Sequence, residues 1–442
     1  MHAPARRNRI LLLAVATALH VAWVLVAPRP AISSDADSYH QLATHLAEGG
    51  GYVADGHVIT NYVPGYPIFL AGIYAVFGHN PLVGYLANAL LVVGAALAVA
   101  LLAERAFGRG RGWMAGALIA GYPALFMYSA TMNAECLVVA LSALFFAATG
   151  LAVSSAGQLL VRPEPPNAVR KRRARTQTRK TALLGVAAFA LGGLALTKPE
   201  LLLWAPVVPL AAFTSLRGTT RELPRYRAVL ARIFLNRPLL IGTFAVTLAL
   251  AAAVLPWQAR NSALVGRRVG VSSSSGYALW LTAHDPQLLD TQSDAFHAAW
   301  DRCEHEDGGP TKTGATADDF AIDACLRKEA VAMVRTHPSH YAKVVVKNVP
   351  RLLLGSHTEF FPPLAEAFGT YKARGQYGAL AAKGLLFLVP IVLYVLAAVG
   401  IFRQRKHPLT IPFVYAIVAK VGIHAVVFST ARYSLHLLPL FA

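Results

Sequence analysis

The amino-acid sequence predicts an all-α polytopic membrane protein. Of its 442 residues, 55% are hydrophobic and only 14% are charged, whereas soluble proteins average about 25% charged residues. The mean hydropathy is +0.47, and apolar runs recur that are long enough to cross the roughly 30 Å hydrocarbon core of a bilayer. These observations exclude a soluble globular protein of this size.

Nine apolar runs of about 17 to 25 residues are predicted to cross the membrane as helices. They comprise residues 10–27, 82–103, 113–129, 134–153, 181–196, 201–216, 238–255, 380–402 and 409–428. Arg6, Arg7 and Arg9 precede the first run, as in a signal peptide, but residues 26–29 lack a small-residue cleavage site. We therefore expect the first run to be a retained anchor.

The net charge of +19 is distributed in a way that suits membrane topology. Basic residues lie in short clusters between apolar runs, which favours the positive-inside rule over nucleic-acid binding. If every run crosses once, the clusters share one cytoplasmic side; they lie at residues 6–9, 105–111, 170–180, 217–237 and 403–406. The loop at 28–81 then faces outward, toward a periplasm or an equivalent compartment.

Three regions follow from this topology. Residues 1–256 form an N-terminal transmembrane module that includes the outward loop 28–81, residues 257–379 form a periplasmic cap, and residues 380–442 form the C-terminal transmembrane segments. Only nine residues follow Tyr433, too few to cross a bilayer. We expect the chain to end either in a half-inserted tail or in a truncation.

The three cysteines divide between the membrane and the cap. Cys136 lies in an apolar run and is expected to be a small buried side chain. Cys303 and Cys325 both lie in the predicted cap, where an oxidising compartment would permit a disulfide. Their spacing gives no geometry, so their pairing stays open.

The first outward loop contains two short helical patterns. Residues 35–48 place apolar or amphipathic side chains at helical spacing, and glycines at 49–51 end the pattern. This arrangement predicts a short amphipathic helix on the membrane surface. Residues 64–78 form an apolar run too short to span, which is typical of a helix in the interface.

Two carboxylates stand at the start of this loop. Asp35 and Asp37 belong to a residue type whose reference pKa is about 4, so both are expected to be ionised at neutral pH and able to accept a proton or bind a cation. Alternatively, Asp35 caps the helix together with Ser33 and Ser34, since these residue types favour the N-cap position. The residues alone leave both interpretations open.

Several motifs occur in an order that resembles the GT-C membrane glycosyltransferases. The greatest similarity is to the bacterial branch related to protein O-mannosyltransferases and to the aminoarabinose transferase of lipid A. The motifs are Asp35-x-x-x-Tyr39, the glycine-ended helix, Pro64-Gly65-Tyr66-Pro67, Phe77-Gly78, Glu135 at the start of a span, residues 256–261 with Arg260 and Asn261, and Arg432-Tyr433. The resemblance covers nearly the whole chain and implies a GT-C-like bundle of transmembrane helices with interfacial helices in the first outward loop.

The resemblance also implies an activity. GT-C enzymes of this branch transfer a sugar, with inversion, from a polyprenyl-phosphate carrier to an acceptor on the outer face of the membrane. The sugar can be a hexose or a pentose, and the acceptor a lipid, a glycan or a protein. An aspartate of the first outward loop activates the acceptor, and Asp35 matches by its spacing to Tyr39. Asp37 is the second candidate for this general base.

The leaving phosphate requires cations or hydrogen-bond donors. Arg260 follows an outward membrane exit, and its guanidinium suits bidentate phosphate binding; a snorkelling arginine is the alternative. The hydroxyl of Tyr39 is expected to reach the same phosphate, unless Tyr39 belongs only to an interfacial aromatic belt. Arg432 and Tyr433 match the family's Arg-Tyr pair and are expected to line the same cavity.

Four further residues complete the predicted substrate-binding set. Lys198 lies in a tight outward break where the family often has a basic residue, although ordinary solvation of a loop also explains its charge. Glu135 lies just inside an apolar run, where an ionised residue usually faces a cavity or a partner, so it is expected to orient a cation. Tyr66 and Asn261 belong to the matching motifs.

A metal site can be drawn from the same loop. Asp35, Asp37, His40 and His45 are possible ligands, and Asp-Ala-Asp is similar to the Asp-x-Asp element of metal-dependent relatives. However, Tyr62-Val63 stands where the nearest of those relatives carry a Glu-Lys pair. We therefore predict that no cofactor is required, with a divalent metal ion as the alternative.

A second class of function competes with the transferase. A transporter or flippase could move a carrier lipid or glycolipid without chemistry, but such proteins usually have paired halves with broken helices. The sequence shows no such repeat, and its acidic residues lie at the predicted outer surface. The expected partners are therefore a polyprenyl-phosphate-sugar donor, membrane lipid and a glycolipid, glycan or protein acceptor, and not nucleic acid.

Overall fold

The computed structural model describes residues 3–28, 32, 35–108, 111–154, 166–215, 237–284, 294–307, 318–359 and 361–442. Their helices are α1 Ala3–Val26, α2 Asp35–Ala47, α3 Gly65–Phe77, α4 Pro81–Phe107, α5 Gly112–Ala120, α6 Pro123–Ser129, α7 Glu135–Ser154, α8 Pro166–Thr197, α9 Val207–Ser215, α10 Arg237–Val265, α11 Ser275–His284, α12 Asp294–Asp307, α13 Asp319–Thr336, α14 Pro338–Leu353, α15 Phe368–Ala373, α16 Tyr377–Arg403, α17 Thr410–Val426 and α18 Leu438–Phe441. Short 3₁₀ segments lie at Pro199–Trp204, Pro362–Leu364 and Ala431–Leu437. The predicted all-α class is confirmed.

The described strands form one small hairpin in the first outward loop. Strand β1, Val53–Ala54, pairs antiparallel with β2, His57–Val58, so that Val53 lies opposite Val58. Gly56 in the connecting turn has a φ of 77°, a left-handed conformation that glycine adopts without a steric penalty. The hairpin positions the chain that leads to Tyr62.

Six helices in the described residues are long and apolar enough to cross a membrane. They are Arg7–Val26, Pro81–Phe107, Glu135–Val153, Arg175–Thr197, Leu240–Val265 and Tyr377–Arg403. Each coincides with a predicted crossing, so the multi-pass class is confirmed. The predicted cytoplasmic cluster at 217–237, except for Arg237 at the start of α10, lies outside the described part of the chain. The same holds for Ser33 and Ser34, which were proposed as helix caps.

The other three predicted crossings differ from continuous long helices. The run 113–129 divides into α5 and α6 because Pro123 has no backbone N–H and disfavours a helical residue before it. The run 201–216 begins in a 3₁₀ segment and continues as α9, and the run 409–428 yields the 17-residue α17. Hydropathy located these apolar segments but did not reveal their breaks.

The first outward loop has the two predicted helices. In α2, Tyr39, Leu42 and Ala43 are buried on one face, which is the expected amphipathic pattern. The helix ends before Gly49, whose φ is 77°. Helix α3 follows Pro64 and packs so closely on α8 that a Cβ at Gly65 would lie 2.7 Å from the carbonyl oxygen of Leu196. This contact fixes the loop against the end of a membrane helix.

The cap contains a small apolar cluster of its own. Helices α11, α12 and α13 bury Trp280, Phe296 and Leu326 together. Cys303 of α12 and Cys325 of α13 form a disulfide, which settles the pairing that the sequence left open. Cys136 is buried and free, as predicted.

Candidate active site

The first residue of α2, Asp35, lies between two side chains from distant parts of the sequence. Its Oδ1 accepts a hydrogen bond from the Tyr62 hydroxyl at 2.8 Å, and its Oδ2 accepts one from Nη2 of Arg432 at 3.0 Å. The Asp35 side chain keeps 28% of its surface exposed. A helix cap alone does not account for these two long-range partners.

The surroundings keep Asp35 ionised. Burial alone would raise the pKa of its carboxyl. The charges of Arg432 and Lys198 and the hydrogen bond from Tyr62 together lower that pKa by more, so it lies below its ordinary value. Asp35 is therefore a carboxylate at neutral pH. It can accept a proton from a group placed at its exposed edge.

Arg432 connects two carboxylates. It lies in the 3₁₀ segment Ala431–Leu437, and its Nε is 3.8 Å from Oε1 of Glu135. Glu135 begins α7 and is only 1% exposed. Because a buried carboxylate without a cation is costly, Glu135 fixes the guanidinium at the position from which it reaches Asp35.

Three cations surround the ring of Tyr433. The ring centroid lies 5.0 Å from Nζ of Lys198, 5.5 Å from Nζ of Lys420 and 5.2 Å from the guanidinium carbon of Arg432. Aromatic faces attract cations at such distances. The site therefore combines a proton acceptor, Asp35, with a group of positive charges beside it.

The three cations differ in their pairing. Lys420 is 1% exposed, and its Nζ donates to Oε1 of Glu200 at 3.0 Å. Lys198 is half-buried in the break between α8 and the following 3₁₀ segment. Burial lowers the pKa of Lys198, but Tyr433 and Glu135 raise it above its ordinary value, so Lys198 is positively charged at neutral pH.

Arg260 lies in a different environment from the one expected. Its Nη1 donates to the carbonyl of Ile59 at 3.0 Å and to Oδ1 of Asn261 at 2.8 Å. Its guanidinium carbon also lies 4.5 Å from the ring centroid of Trp257. Arg260 thus holds the segment that leads to Tyr62, and its predicted role as a phosphate ligand stays a prediction.

Asn261 contacts the chain that follows α10. Its Nδ2 donates to the carbonyl oxygens of Gly270 at 3.3 Å and Val271 at 3.2 Å. These contacts join the end of α10 to the start of the cap. The residue is fully buried, so its place in the motif has a structural explanation.

Asp37 points toward the hairpin. Its Oδ2 accepts a hydrogen bond from Nε2 of Gln41 at 3.0 Å, and the same amide nitrogen donates to Asp55. Asp35 and Asp37 therefore have separate partners. Asp35 lies beside Arg432, whereas Asp37 bonds Gln41.

Tyr39 of α2 packs against Tyr66 of α3. Their rings pack edge to face with centroids 5.2 Å apart, and both residues are buried. The Tyr66 hydroxyl accepts a hydrogen bond from Nδ2 of Asn88 at 2.9 Å. Their predicted substrate contacts stay predictions.

The predicted metal ligands have other partners. Asp35 is held by Tyr62 and Arg432, Asp37 by Gln41, and the ring Nδ1 of His40 lies 3.0 Å from the Tyr74 hydroxyl. Among the described residues, no three of Asp35, Asp37, His40 and His45 bring their ligand atoms together.

One group of three potential metal ligands occurs in the described ranges, comprising Cys303, Cys325 and Glu329. Its two sulfur atoms are joined in the disulfide, so neither can act as a thiolate ligand. The prediction that no cofactor is required, with a divalent metal ion as the alternative, stays a prediction.

Sequence reasoning missed Tyr62 and Lys420 as site residues. Tyr62 had appeared only as a departure from metal-dependent relatives. Lys420 carried a usable signal, because a lysine inside an apolar run usually has a partner or lines a cavity. That partner, Glu200, lies 220 positions away in sequence and could not be identified from local pattern.

Comparisons with known proteins give structural matches alone. No family model matches the sequence, and no curated protein matches it. The apo structure of the Archaeoglobus fulgidus oligosaccharyltransferase is 14% identical and aligns with 98% of this chain and 49% of that one, with a TM-score of 0.51. The chain thus spans about half the length of that protein.

Two further structures are similar. The A. fulgidus oligosaccharyltransferase AglB in complex with an inhibitory peptide and a dolichol-phosphate is 13% identical, with 98% of this chain and 49% of that one covered and a TM-score of 0.49. ArnT from Cupriavidus metallidurans bound to undecaprenyl phosphate is 14% identical, with 97% and 77% covered and a TM-score of 0.39.

The chain shares the fold of the A. fulgidus oligosaccharyltransferase over nearly its whole length. This match agrees with the predicted bundle of membrane helices. At 14% identity the likeness concerns the fold alone.

Proposed function

We propose that this chain is an integral-membrane glycosyltransferase that moves a sugar, with inversion, from a polyprenyl-phosphate donor to an acceptor at the periplasmic face of a bacterial inner membrane. The observation that carries the proposal is the ionised, partly exposed carboxylate of Asp35 beside Arg432 and Lys198. A base next to a group of cations suits a reaction in which a proton is removed and a phosphate leaves.

Asp35 is the general base of the proposed reaction. The acceptor's hydroxyl or amine attacks the anomeric carbon, and its proton passes to Asp35. The new bond from the acceptor to the anomeric carbon forms as the bond from that carbon to the phosphate oxygen breaks. Attack from the face opposite the phosphate inverts the configuration, and polyprenyl phosphate departs.

Arg432 and Lys198 stabilise the leaving phosphate. Both cations approach the ring of Tyr433, at 5.2 and 5.0 Å from its centroid, and both lower the pKa of Asp35 through their charge. Negative charge develops on the phosphate as its bond to the sugar breaks, and preorganised cations favour that state. Glu135 holds Arg432 in place through the 3.8 Å contact.

The shared fold supports this assignment. The A. fulgidus protein with which the chain aligns is an oligosaccharyltransferase. In this chain the acceptor is a lipid, a glycan or a protein, and the sugar is a hexose or a pentose.

Mass spectrometry of envelope lipids and glycans tests the proposal. Cells that lack the protein are complemented with the wild type, with Asp35→Asn or with Asp37→Asn. We expect one species to gain a hexose or pentose mass with the wild type and with Asp37→Asn. We expect that species to fall by about 10²- to 10⁴-fold with Asp35→Asn, because a general base contributes roughly that factor.

Binding of undecaprenyl phosphate to the purified variants provides the control. Asp35→Asn should retain this ligand, since Lys198 and Arg432 are unchanged. Full activity of Asp35→Asn would overturn the assignment of the base. A wild-type chain that alters lipid distribution between leaflets without adding a sugar mass would instead identify a transporter.

A further inference from the structure

Helix α14, Pro338–Leu353, has three flanks of different character. Its sequence contains no aspartate or glutamate and includes His340, Lys343, Lys347 and Arg351. These positions recur at intervals of three and four residues, so they lie along one stripe of the helix. Lys343 and Lys347 are exposed, which gives the helix a positively charged flank beside His340.

A second flank is apolar and faces away from the protein. Ala342 is exposed and Val346 keeps 71% of its surface exposed, while Val349 and Leu353 are half-buried. An exposed valine beside exposed lysines is unusual for a helix surrounded only by water. It is typical of a helix that lies in a membrane interface.

The third flank attaches α14 to the outer end of α17. Nδ2 of Asn348 donates to the carbonyl of Ala425 at 2.9 Å, and the Ser429 hydroxyl donates to the carbonyl of Asn348 at 2.9 Å. The Tyr341 hydroxyl bonds the carbonyl of Val426 as well. Helix α14 therefore packs at the end of an apolar helix, α17.

We infer that α14 is a docking surface for anionic phospholipid headgroups. Lys343 and Lys347 bind the phosphates, and Val346 rests at the boundary of the acyl chains. The charge of the stripe and the absence of acidic residues within α14 favour an anionic lipid over a zwitterionic one. Because Ser429 donates a hydrogen bond to Asn348 of α14, lipid binding to α14 also stabilises the segment that leads from Ser429 to Arg432.

The depth of α14 can be measured with one label. Because Cys136 is buried and Cys303 is bridged to Cys325, a cysteine introduced as Val346→Cys takes an environment-sensitive dye selectively. In nanodiscs, we expect blue-shifted emission and quenching by lipids with brominated acyl chains. The same dye at Lys328→Cys, on the exposed face of α13, should remain in water and unquenched. The inference would be overturned if the dye were quenched equally at both positions or were quenched at neither.

Headgroup preference needs a separate pair of variants. Native mass spectrometry compares the retention of phosphatidylglycerol and phosphatidylcholine by the full chain. A lysine near an anionic surface strengthens binding about fivefold, so Lys343→Gln with Lys347→Gln should reduce the preference for phosphatidylglycerol by about 25-fold. The matched control, Lys328→Gln with Arg335→Gln on α13, should leave it unchanged.

Two results would refute the lipid partner. An unchanged preference for phosphatidylglycerol in the double variant would show that the lysines do not bind headgroups. Competition by soluble dextran sulfate but not by phosphatidylglycerol vesicles would assign the stripe to an acidic glycan. Neither result depends on sugar transfer, so failure of the lipid-binding inference would not contradict the proposed transferase activity.

Discussion

Asp35 has two partners that favour its ionised form for different reasons. Arg432 contributes charge at 3.0 Å, and Tyr62 contributes a directional hydrogen bond at 2.8 Å. Tyr62 carries no formal charge. Its hydrogen bond therefore orients the Asp35 carboxylate without adding a second cation to the site. The site thus separates positioning from charge stabilisation.

The pH dependence of transfer follows from the lowered pKa of Asp35. The folded-state pKa lies below the unfolded value, so the pair with Arg432 stabilises the protein above the unfolded pKa. This contribution is lost as the pH falls through the folded pKa. Transfer should decline over the same acidic range, because the protonated acid cannot accept a proton.

Substitution of Arg432 should move this acidic limit. In Arg432→Gln the charge that lowers the pKa of Asp35 is absent, so the acid limb of the rate profile should shift to higher pH. The rate at neutral pH should also fall because a phosphate cation is lost. Arg374→Gln, which breaks an exposed pair with Glu366, is the control. An unmoved acid limb in Arg432→Gln would contradict the assignment of Asp35.

Tyr62→Phe tests positioning without changing formal charge. A hydrogen bond to a charged group contributes about 1.5–3 kcal/mol, so kcat should fall by at least tenfold while KM changes little. The acid limb should also move to higher pH. Tyr377→Phe, at a tyrosine that is 68% exposed, should be neutral. A rise in KM with kcat unchanged would show that Tyr62 binds substrate and does not orient the base.

The sequence identified most charged members of the site but not their arrangement. Asp35, Glu135, Lys198 and Arg432 were all placed at the outer boundary, because hydropathy and motif order indicate depth in a membrane. Depth does not specify position around the bundle. Arg260 also lies at the predicted outer boundary, but it contacts Ile59 and Trp257. Helix packing decides which charged side chains meet, and local sequence pattern does not reveal helix packing.

At the scale of elements, helix ends and 3₁₀ segments place the site residues. Lys198 follows α8 directly, and Arg432 lies in a 3₁₀ segment after α17. Pro199 follows Lys198 directly, and Lys198 has an extended backbone, so the break there has a local cause. Hydropathy predicted the apolar runs on either side of that break, but it did not predict the 3₁₀ segment that contains Arg432.

Gly65 tests how closely α3 must approach α8. A Cβ at this position would lie 2.7 Å from the Leu196 carbonyl oxygen and still closer to the Thr197 hydroxyl. Gly65→Ala should therefore destabilise the fold by about 1–3 kcal/mol, as overpacking does. It should also weaken the binding of undecaprenyl phosphate, because the displaced backbone leads directly to Lys198. Thermal unfolding and ligand titration in detergent measure the two effects.

Gly72→Ala is the matched control on the same helix. A Cβ at Gly72 would meet no atom within 4 Å, and alanine favours a helix interior over glycine by about 1 kcal/mol. The control should therefore unfold at the same or a higher temperature. Equal behaviour of the two variants would show that the close approach of α3 to α8 does not matter.

At the scale of the whole molecule, the cap contacts the site loop directly. The Thr60 hydroxyl donates to Oδ2 of Asp319 at 2.6 Å and lies 3.0 Å from the Ser273 hydroxyl. Thr60 precedes Tyr62 by two residues. The order of the cap is therefore coupled to the side chain that orients Asp35.

The disulfide should stabilise the cap more than the bundle. Cys303 and Cys325 are 22 residues apart, and closing a loop of this size restricts the unfolded chain by about 3 kcal/mol. Reduction should therefore increase amide hydrogen exchange in α12 and α13 while α7 stays protected. Because Thr60 contacts the cap, transfer should slow moderately. The variant Cys303→Ser with Cys325→Ser should show the same exchange, with no further response to reductant. Full protection of the cap after reduction, verified by the mass of the free thiols, would show that its apolar cluster around Trp280 is sufficient alone.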